Sequence, residues 1–270
     1  MRYLSLLLFS SFFLFSCTPS PHTSTEQKNS EIDLAKEPIL PVFLSSNNKA
    51  HGLDLWKEKD AISFQLQLFF GGKERVNSSI IMDTDFSHIK MEDQEGKVSV
   101  FKNDTAYMLY EGKTNGSTRF DLLTWPYFMS FPFKMGAPGT KLEANGEIVF
   151  DEKRYPSHKL SFGDEIGDAP DDWYKILQDP ASKLVKGLVY IVTFSREQAE
   201  AEKSPNGIIY KKYIDVEGAQ IASEWEFWKM SEGSFNQKVG YALLSNIQFI
   251  STTEKDFAIT EDAVIDPKPE

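Results

Sequence analysis

The stretch that decides the fold is Ala61-Ile-Ser-Phe-Gln-Leu-Gln-Leu-Phe-Phe70, in which apolar and polar side chains alternate. The even positions from 62 to 70 are Ile, Phe, Leu, Leu and Phe, whereas positions 63, 65 and 67 are Ser, Gln and Gln. Successive side chains of a strand point to opposite faces of the sheet. The pattern therefore predicts a strand with one buried face and one solvated face.

Ten further runs of the same kind follow along the chain, and Gly or Asn occupies many of the turns between them. They cover residues 79–83, 87–92, 97–102, 106–110, 146–150, 158–162, 188–195, 208–216, 223–230 and 241–251. About 11 short strands joined by such turns predict a mainly β fold with a meandering antiparallel sheet. Because no Gly/Pro-rich break divides residues 39–270, we predict a single β-rich domain there.

Helical patterns are scarce. Residues 196–203, Arg-Glu-Gln-Ala-Glu-Ala-Glu-Lys, are strong helix formers and stop at Ser204-Pro205, which predicts one short helix. Residues 171–178, Asp-Asp-Trp-Tyr-Lys-Ile-Leu-Gln, suggest a second short helical turn with an aspartate near its cap.

Residues 120–133, Phe-Asp-Leu-Leu-Thr-Trp-Pro-Tyr-Phe-Met-Ser-Phe-Pro-Phe, form the most apolar stretch after the N-terminal leader. Proline lacks a backbone N–H and clashes with the preceding turn of a helix, so Pro126 and Pro132 argue against a long regular helix and against a central strand. We predict that this segment is an apolar lid, interrupted by the two prolines, that packs over the apolar face of the sheet.

The N-terminus has the layout of an export signal. Arg2 precedes an apolar run from Tyr3 to Phe15, which is shorter than the roughly 20 residues that a membrane-spanning helix needs. The tetrapeptide Leu14-Phe-Ser-Cys17 resembles the bacterial lipobox, and Cys17 is the only cysteine in the chain. We predict a lipoprotein signal peptide at 1–16 and a lipid on Cys17 that anchors the protein to a membrane.

Residues 17–38 are rich in Ser, Thr, Pro and charge, a composition typical of a disordered tether. The formal charge of the chain is −11, and removal of the leader with Arg2 gives −12. So acidic a surface argues against nucleic acid as a partner. The sequence therefore favours an exported protein that is lipid-anchored in the cell envelope.

Motifs for catalysis are missing from the sequence. His51, His88 and His158 are far apart and have no HExxH or His-x-His spacing, and we find no nucleophile elbow, phosphate loop or cofactor motif. We therefore predict no enzyme activity and no cofactor. The densest group of charge is an acidic loop that is a weak candidate for Ca²⁺, because calcium takes six to eight oxygen ligands; its residues are Asp164, Glu165, Asp168, Asp171 and Asp172.

Beyond these local patterns, the chain resembles a family of Gram-negative, Bacteroidota-type lipoproteins with a lipoprotein-carrier-like half-barrel of the outer-membrane lipoprotein-sorting type. The resemblance covers most of 45–265. It runs from the apolar segment at 125–132 into Phe-Lys-Met-Gly-Ala-Pro-Gly at 133–139, through Gly163–Tyr174 and Leu188–Thr193, and into Asp215–Phe227. It implies a curved antiparallel half-barrel whose concave face is covered by short helices and loops and encloses an apolar cavity. It also favours an anchor in the outer membrane, facing the periplasm.

The function predicted from this resemblance is binding of an apolar ligand, an acyl chain or the lipid of a lipoprotein, in the half-barrel. The candidate cavity residues are apolar side chains of the first strand and of the lid: Phe64, Leu66, Leu68, Trp125, Phe128 and Phe131. One alternative is a non-catalytic envelope scaffold in which these side chains form a solid core. Another is a hydrolase or calcium-dependent binder that uses the acidic loop at 164–172. A connected apolar cavity of a few hundred Å³ would separate the binder from the scaffold.

Overall fold

The alternating runs build one antiparallel sheet. The computed structural model describes residues 39–163 and 166–268, so the predicted signal peptide, Cys17 and the tether at 17–38 lie outside the described residues. The described strands are β1 Ala61–Phe70, β2 Lys73–Asp83, β3 His88–Asp93, β4 Val98–Lys102, β5 Thr105–Met108, β6 Thr140–Phe150, β7 Lys153–Phe162, β8 Tyr174–Gln178, β9 Val185–Tyr190, β10 Asn206–Val216, β11 Ala219–Ser231, β12 Ser234–Ile250 and β13 Val264–Asp266. The mainly β, antiparallel, curved and unclosed sheet is confirmed, with 13 strands rather than about 11.

Two meanders meet in the middle of the sheet. The strand order is β13-β5-β4-β3-β2-β1-β12-β11-β10-β9-β8-β7-β6. The chain runs outward from β1 to β5, crosses to the opposite edge at β6, and returns strand by strand to β12, which pairs with β1. The last described strand, β13, pairs with β5. The two edges of the sheet are therefore β13 and β6, and the segment between β5 and β6 has to span the sheet.

The predicted alternation of β1 is confirmed. Ile62, Phe64, Leu66 and Leu68 are at most 3% exposed, whereas Ser63, Gln65 and Gln67 are only half-buried. Their register explains why the buried face is continuous, since Leu66 lies opposite Leu244 of β12 and Ser78 of β2. The buried face belongs to one large hydrophobic core.

Helices cover part of this buried face, and the longest contradicts the prediction. They are α1 Ile39–His51, α2 Leu53–Lys57 and α3 Ser117–Lys134, whereas the short α4 Gln198–Ala201 packs through Ala201 in a second, smaller hydrophobic cluster. Helix α3 is an 18-residue helix that includes both Pro126 and Pro132, so the expectation that these prolines exclude a long helix was wrong.

A side chain replaces the backbone hydrogen bond that Pro132 removes. Pro132 cannot donate to the carbonyl of Phe128, four residues earlier, and the buried hydroxyl of Tyr210 donates to that carbonyl instead, at 2.7 Å. Because α3 is surrounded by core, the burial of its aromatic side chains offsets the helix-breaking tendency of proline.

Three other predicted elements differ. Residues 39–57 were assigned to no helix, but they form α1 and α2. The helical turn predicted at 171–178 is wrong, since Tyr174–Gln178 is strand β8, which pairs with β7 and β9 on either side. Pairing and burial override the local propensity there. The helix predicted at 196–203 is reduced to the four residues of α4.

Candidate functional site

A cavity of about 320 Å³ lies between α3 and the sheet. From α3 it is lined by a stripe of side chains at the spacing i, i+3, i+4, i+7, i+8, which are Phe120, Leu123, Thr124, Tyr127 and Phe128. Residues with this spacing share one face of a helix. The neighbouring face of α3 carries Leu122, Trp125 and Met129, which are buried in the core. The helix therefore packs into the core on one side and roofs the cavity on the other.

Aromatic residues form most of the opposing wall. The sheet contributes Phe101 of β4, Phe162 of β7, Tyr174 of β8 and Tyr190 of β9. The segment that follows β9 adds Val192 and Phe194, and Phe86 comes from the turn before β3. Tyr174 and Tyr190 are stacked with their ring centroids 6.0 Å apart, and the Phe128 ring packs at a steep angle against Tyr190. The wall is thus a set of rings that hold one another in place.

Of the six predicted cavity residues, Phe128 borders this cavity. Phe64, Leu66, Leu68, Trp125 and Phe131 belong to the packed core and are between 0 and 6% exposed. The stripe at 120, 123, 124 and 127 was missed because the segment was not read as a helix. Helical periodicity in residues 117–134 is the sequence signal that would have found it.

The cavity lining includes three aspartates, Asp104, Asp168 and Asp172. The first two are paired with Arg119, whereas Asp172 has no cationic partner among the salt bridges of the described residues. Burial raises the pKa of this carboxyl to about 6, and hydrogen bonds from Thr193 oppose the shift. Thr193 donates both its backbone N–H and its hydroxyl to Asp172 Oδ1, at 2.7 and 2.8 Å. A mostly apolar pocket with a few fixed polar groups is the usual design of a small-molecule site, because the polar groups orient the ligand.

The acidic loop is fastened to α3 at the rim of the cavity. Arg119, which is 3% exposed, donates from Nε and Nη2 to the two carboxylate oxygens of Asp168 at 2.5 and 2.8 Å. The same guanidinium donates to the backbone carbonyl of Asp104 at 2.8 Å. Asp168 is the main cause that raises the pKa of Arg119. Sequence reasoning missed Arg119, since nothing local marks it as the partner of a loop about 50 residues away.

The calcium candidates are mostly engaged or outside the described residues. Asp168 pairs with Arg119 and Asp172 accepts from Thr193, while Asp171 is exposed. Asp164 and Glu165 lie outside the described residues. Within residues 39–163 and 166–268, no three His, Asp or Glu side chains are grouped so as to hold a metal ion.

His51, His88 and His158 occupy separate places. His51 is buried between α1 and the sheet, where Nε2 accepts the N–H of Val185 at 3.0 Å. His88 Nδ1 lies 2.7 Å from Asp83 Oδ2. His158 is 5% exposed and stacks on Phe43, with ring centroids 3.8 Å apart. None of them lines the cavity.

None of the helices that the structure describes, α3 included, has the length and apolarity to cross a bilayer.

Comparison with known proteins identifies the fold. No protein-family model and no curated protein matches the sequence. Among solved structures, the chain is similar to a LolA superfamily protein from Nitrosomonas europaea, with a TM-score of 0.53 and 9% identity over 80% of this chain and 96% of that one. A domain described as an outer membrane lipoprotein-sorting protein, from Vibrio parahaemolyticus, matches with a TM-score of 0.43 and 10% identity over 79% of this chain and 95% of that one. The likeness to the first of these establishes that the chain has a LolA-like fold.

Proposed function

We propose that the protein is a lipid-anchored cell-envelope protein that binds an apolar ligand, an acyl chain or the lipid of a lipoprotein, in the cavity under α3. The observation that carries this proposal is the cavity itself, about 320 Å³ of space with an aromatic lining that opens to solvent at the edge of the packed core. Its volume falls at the lower end of the range of about 300 to 1,000 Å³ that is typical of ligand pockets. A binding role without catalysis accounts for this lining.

The lining supports reversible binding. Five lining residues are only half-buried, although they belong to residue types that are usually buried. They are Leu123, Val192, Phe101, Phe120 and Phe162. A ligand that covered them would remove this apolar surface from water, at about 25 cal/mol per Å². The rigid sheet behind the rings means that little ordering is needed on binding.

The proposed location is the periplasmic face of the outer membrane, where a lipid on Cys17 anchors the protein. The LolA-like fold of the described residues agrees with this proposal, and the lipobox-like Leu14–Cys17 supplies the anchor. With the anchor in the membrane, a ligand that leaves a bilayer has only a short distance to travel.

Lipid retained by the protein tests the proposal. The full-length chain carrying Cys17→Ser, which cannot be lipidated, is purified without detergent and extracted with organic solvent for mass spectrometry. We expect about one acyl-chain-bearing lipid per protein. Leu123→Trp, which fills the cavity, should abolish the signal, whereas Leu243→Trp at an exposed position of β12 should retain it.

The second candidate is a scaffold with a solid core. It is favoured by the packing of Phe64, Leu66, Leu68, Trp125 and Phe131, which leaves most of the concave face filled. Absence of lipid from the Cys17→Ser protein, together with unchanged stability when Leu123→Trp is added, would support the scaffold and reject the carrier.

A further inference from the structure

We propose that the cavity selects amphiphiles whose polar end donates a hydrogen bond and carries no negative charge, with Asp172 as the acceptor and Tyr127 as its neighbour. This inference rests on the proposed function, since it names the chemical class of ligand for the same cavity. The structure offers two independent observations, one at each of these side chains.

The first observation is the hydroxyl of Tyr127. It is buried, it belongs to a residue of the cavity lining, and it has no hydrogen-bond partner among residues 39–163 and 166–268. Buried polar groups in proteins are nearly always hydrogen-bonded, so a single unpaired hydroxyl beside an apolar cavity calls for a partner. The ring of Tyr127 lines the cavity while its oxygen is sealed from solvent in this structure, so a polar ligand end has to reach past the ring to supply the partner.

The second observation is the position of Asp172. Its charge raises the pKa of the hydroxyls of both Tyr127 and Tyr190, and burial is the larger cause of each shift. Asp172 lines the same cavity as Tyr127, Tyr174 and Tyr190. Both donors from Thr193 reach Oδ1, and the Tyr174 hydroxyl also stabilises the charged form. The lining thus places three tyrosines together with Asp172, while the other two lining aspartates, Asp104 and Asp168, are paired with Arg119.

This arrangement discriminates by charge. A carboxylate or phosphate placed beside Asp172 would be repelled, because two negative charges interact strongly where water is excluded. The nearby cation does not compensate, since the guanidinium of Arg119 is held by Asp168 and Asp104. A hydroxyl, amide or amine can instead donate to the carboxylate, and hydrogen bonds to a charged acceptor are the stronger kind.

The test compares ligands that share one alkyl chain. Dodecanol, dodecylamine and dodecanoate compete with the neutral dye N-phenyl-1-naphthylamine for the full-length Cys17→Ser protein at about pH 8, above the Asp172 pKa of about 6. We expect dodecanol and dodecylamine to bind about tenfold more tightly than dodecanoate, a difference of about 1.4 kcal/mol. Asp172→Asn should remove most of that difference, and the exposed neighbour Asp171→Asn should leave it intact.

Tyr127→Phe provides a second measurement that does not depend on Asp172. It should reduce the affinity for dodecanol several-fold and leave the affinity for the dye unchanged, because binding of the dye does not require a hydrogen bond to this hydroxyl.

The outcomes separate this inference from the proposed function. If neither the dye nor any amphiphile binds, the apolar-ligand function fails. If all three amphiphiles bind the parent protein equally well, the function stands and the selection by Asp172 is overturned. The selection by Asp172 would also be overturned if the difference in affinity between dodecanol and dodecanoate persisted in an Asp172→Asn protein that is shown to be folded by its melting temperature.

Discussion

His51 is held as a neutral imidazole by its two hydrogen bonds. Nδ1 lies 3.1 Å from the carbonyl oxygen of Gln220, and because a carbonyl can only accept, this nitrogen carries the proton. Nε2 must then accept the N–H of Val185. Protonation of Nε2 would point its new N–H at the N–H of Val185, which already donates to this nitrogen. His51 is also fully buried. These constraints agree with the direction of the shift, since burial lowers the pKa of His51 to about 4.

The lowered pKa predicts acid sensitivity. A histidine with an ordinary pKa of 6.5 binds a proton in the unfolded chain before it does so in the folded protein, so stability that is present above pH 6.5 is lost as the pH falls towards about 4. The loss from His51 amounts to about 3 kcal/mol. Asp172 acts in the opposite sense, because its folded-state pKa is raised from 3.8 to about 6 and the folded protein gains stability there on acidification.

Comparing the pH dependence of stability between variants separates the contribution of His51 from that of Asp172. Urea unfolding at several pH values should give a flatter pH dependence for His51→Gln than for the parent protein, although the variant is less stable at pH 7. His22→Gln, in the predicted tether at 17–38, serves as the control and should preserve the parent slope. Identical slopes in all three proteins would contradict the assignment.

Helix α3 depends on a side chain from the sheet. The hydroxyl of Tyr210 is the donor that meets the Phe128 carbonyl left free by Pro132. Removing it leaves a buried carbonyl unpaired, which costs about 1 to 3 kcal/mol. We therefore expect Tyr210→Phe to lower the unfolding free energy by that amount in chemical denaturation. Tyr241→Phe, at an exposed position of β12, should change it by less than about 0.5 kcal/mol.

The N-terminus of α3 depends on the last described strand. The carboxylate of Asp266 in β13 accepts the backbone N–H groups of Gly116, Thr118 and Arg119 at 2.7, 2.8 and 3.2 Å. A carboxylate at this end of a helix pairs free N–H groups and opposes the helix dipole.

Loss of this cap should be measurable. Asp266→Ala should lower the unfolding free energy by about 1 to 2 kcal/mol, measured as a reduced midpoint in thermal unfolding. The exposed Asp262→Ala is the matched control. An unchanged midpoint for Asp266→Ala would mean that the first turn of α3 finds other acceptors.

The sequence predicts strands better than helices in this chain, for a physical reason. The alternation in β1 reports a strand directly, and all eleven predicted runs overlap strands of the sheet. Pro126 and Pro132 in contrast report only a local cost, and the compensating donor Tyr210 lies 82 residues from Phe128 in sequence. The stripe of cavity residues at 120–128 was missed because the same two prolines argued against a helix in this segment. Phe128 could be predicted because it is apolar and central, whereas Arg119 acts through Asp168 and Asp104, which only the fold brings near.

At the scale of the whole molecule, the predicted anchor has a direct test. Radiolabelled palmitate should be incorporated into the parent protein, which should sediment with membranes, because two or more acyl chains give stable attachment. Cys17→Ser should lose the label and appear in the soluble periplasmic fraction. Ser16→Ala keeps a small residue before the cysteine and should behave as the parent does. A labelled Cys17→Ser protein would refute the assignment of the lipid to this residue.

The pairings that complete the sheet join distant parts of the chain. Ala61 in β1 lies opposite Ile250 in β12, and the helix that roofs the cavity is capped by a residue about 150 positions later. Contacts of such high sequence separation form slowly. A chain that emerges N-terminus first would expose the aromatic lining of the cavity until the last described strand, β13, had paired with β5. Assembly of the roof is therefore a late event in biogenesis, and the protein would need protection from aggregation during that interval.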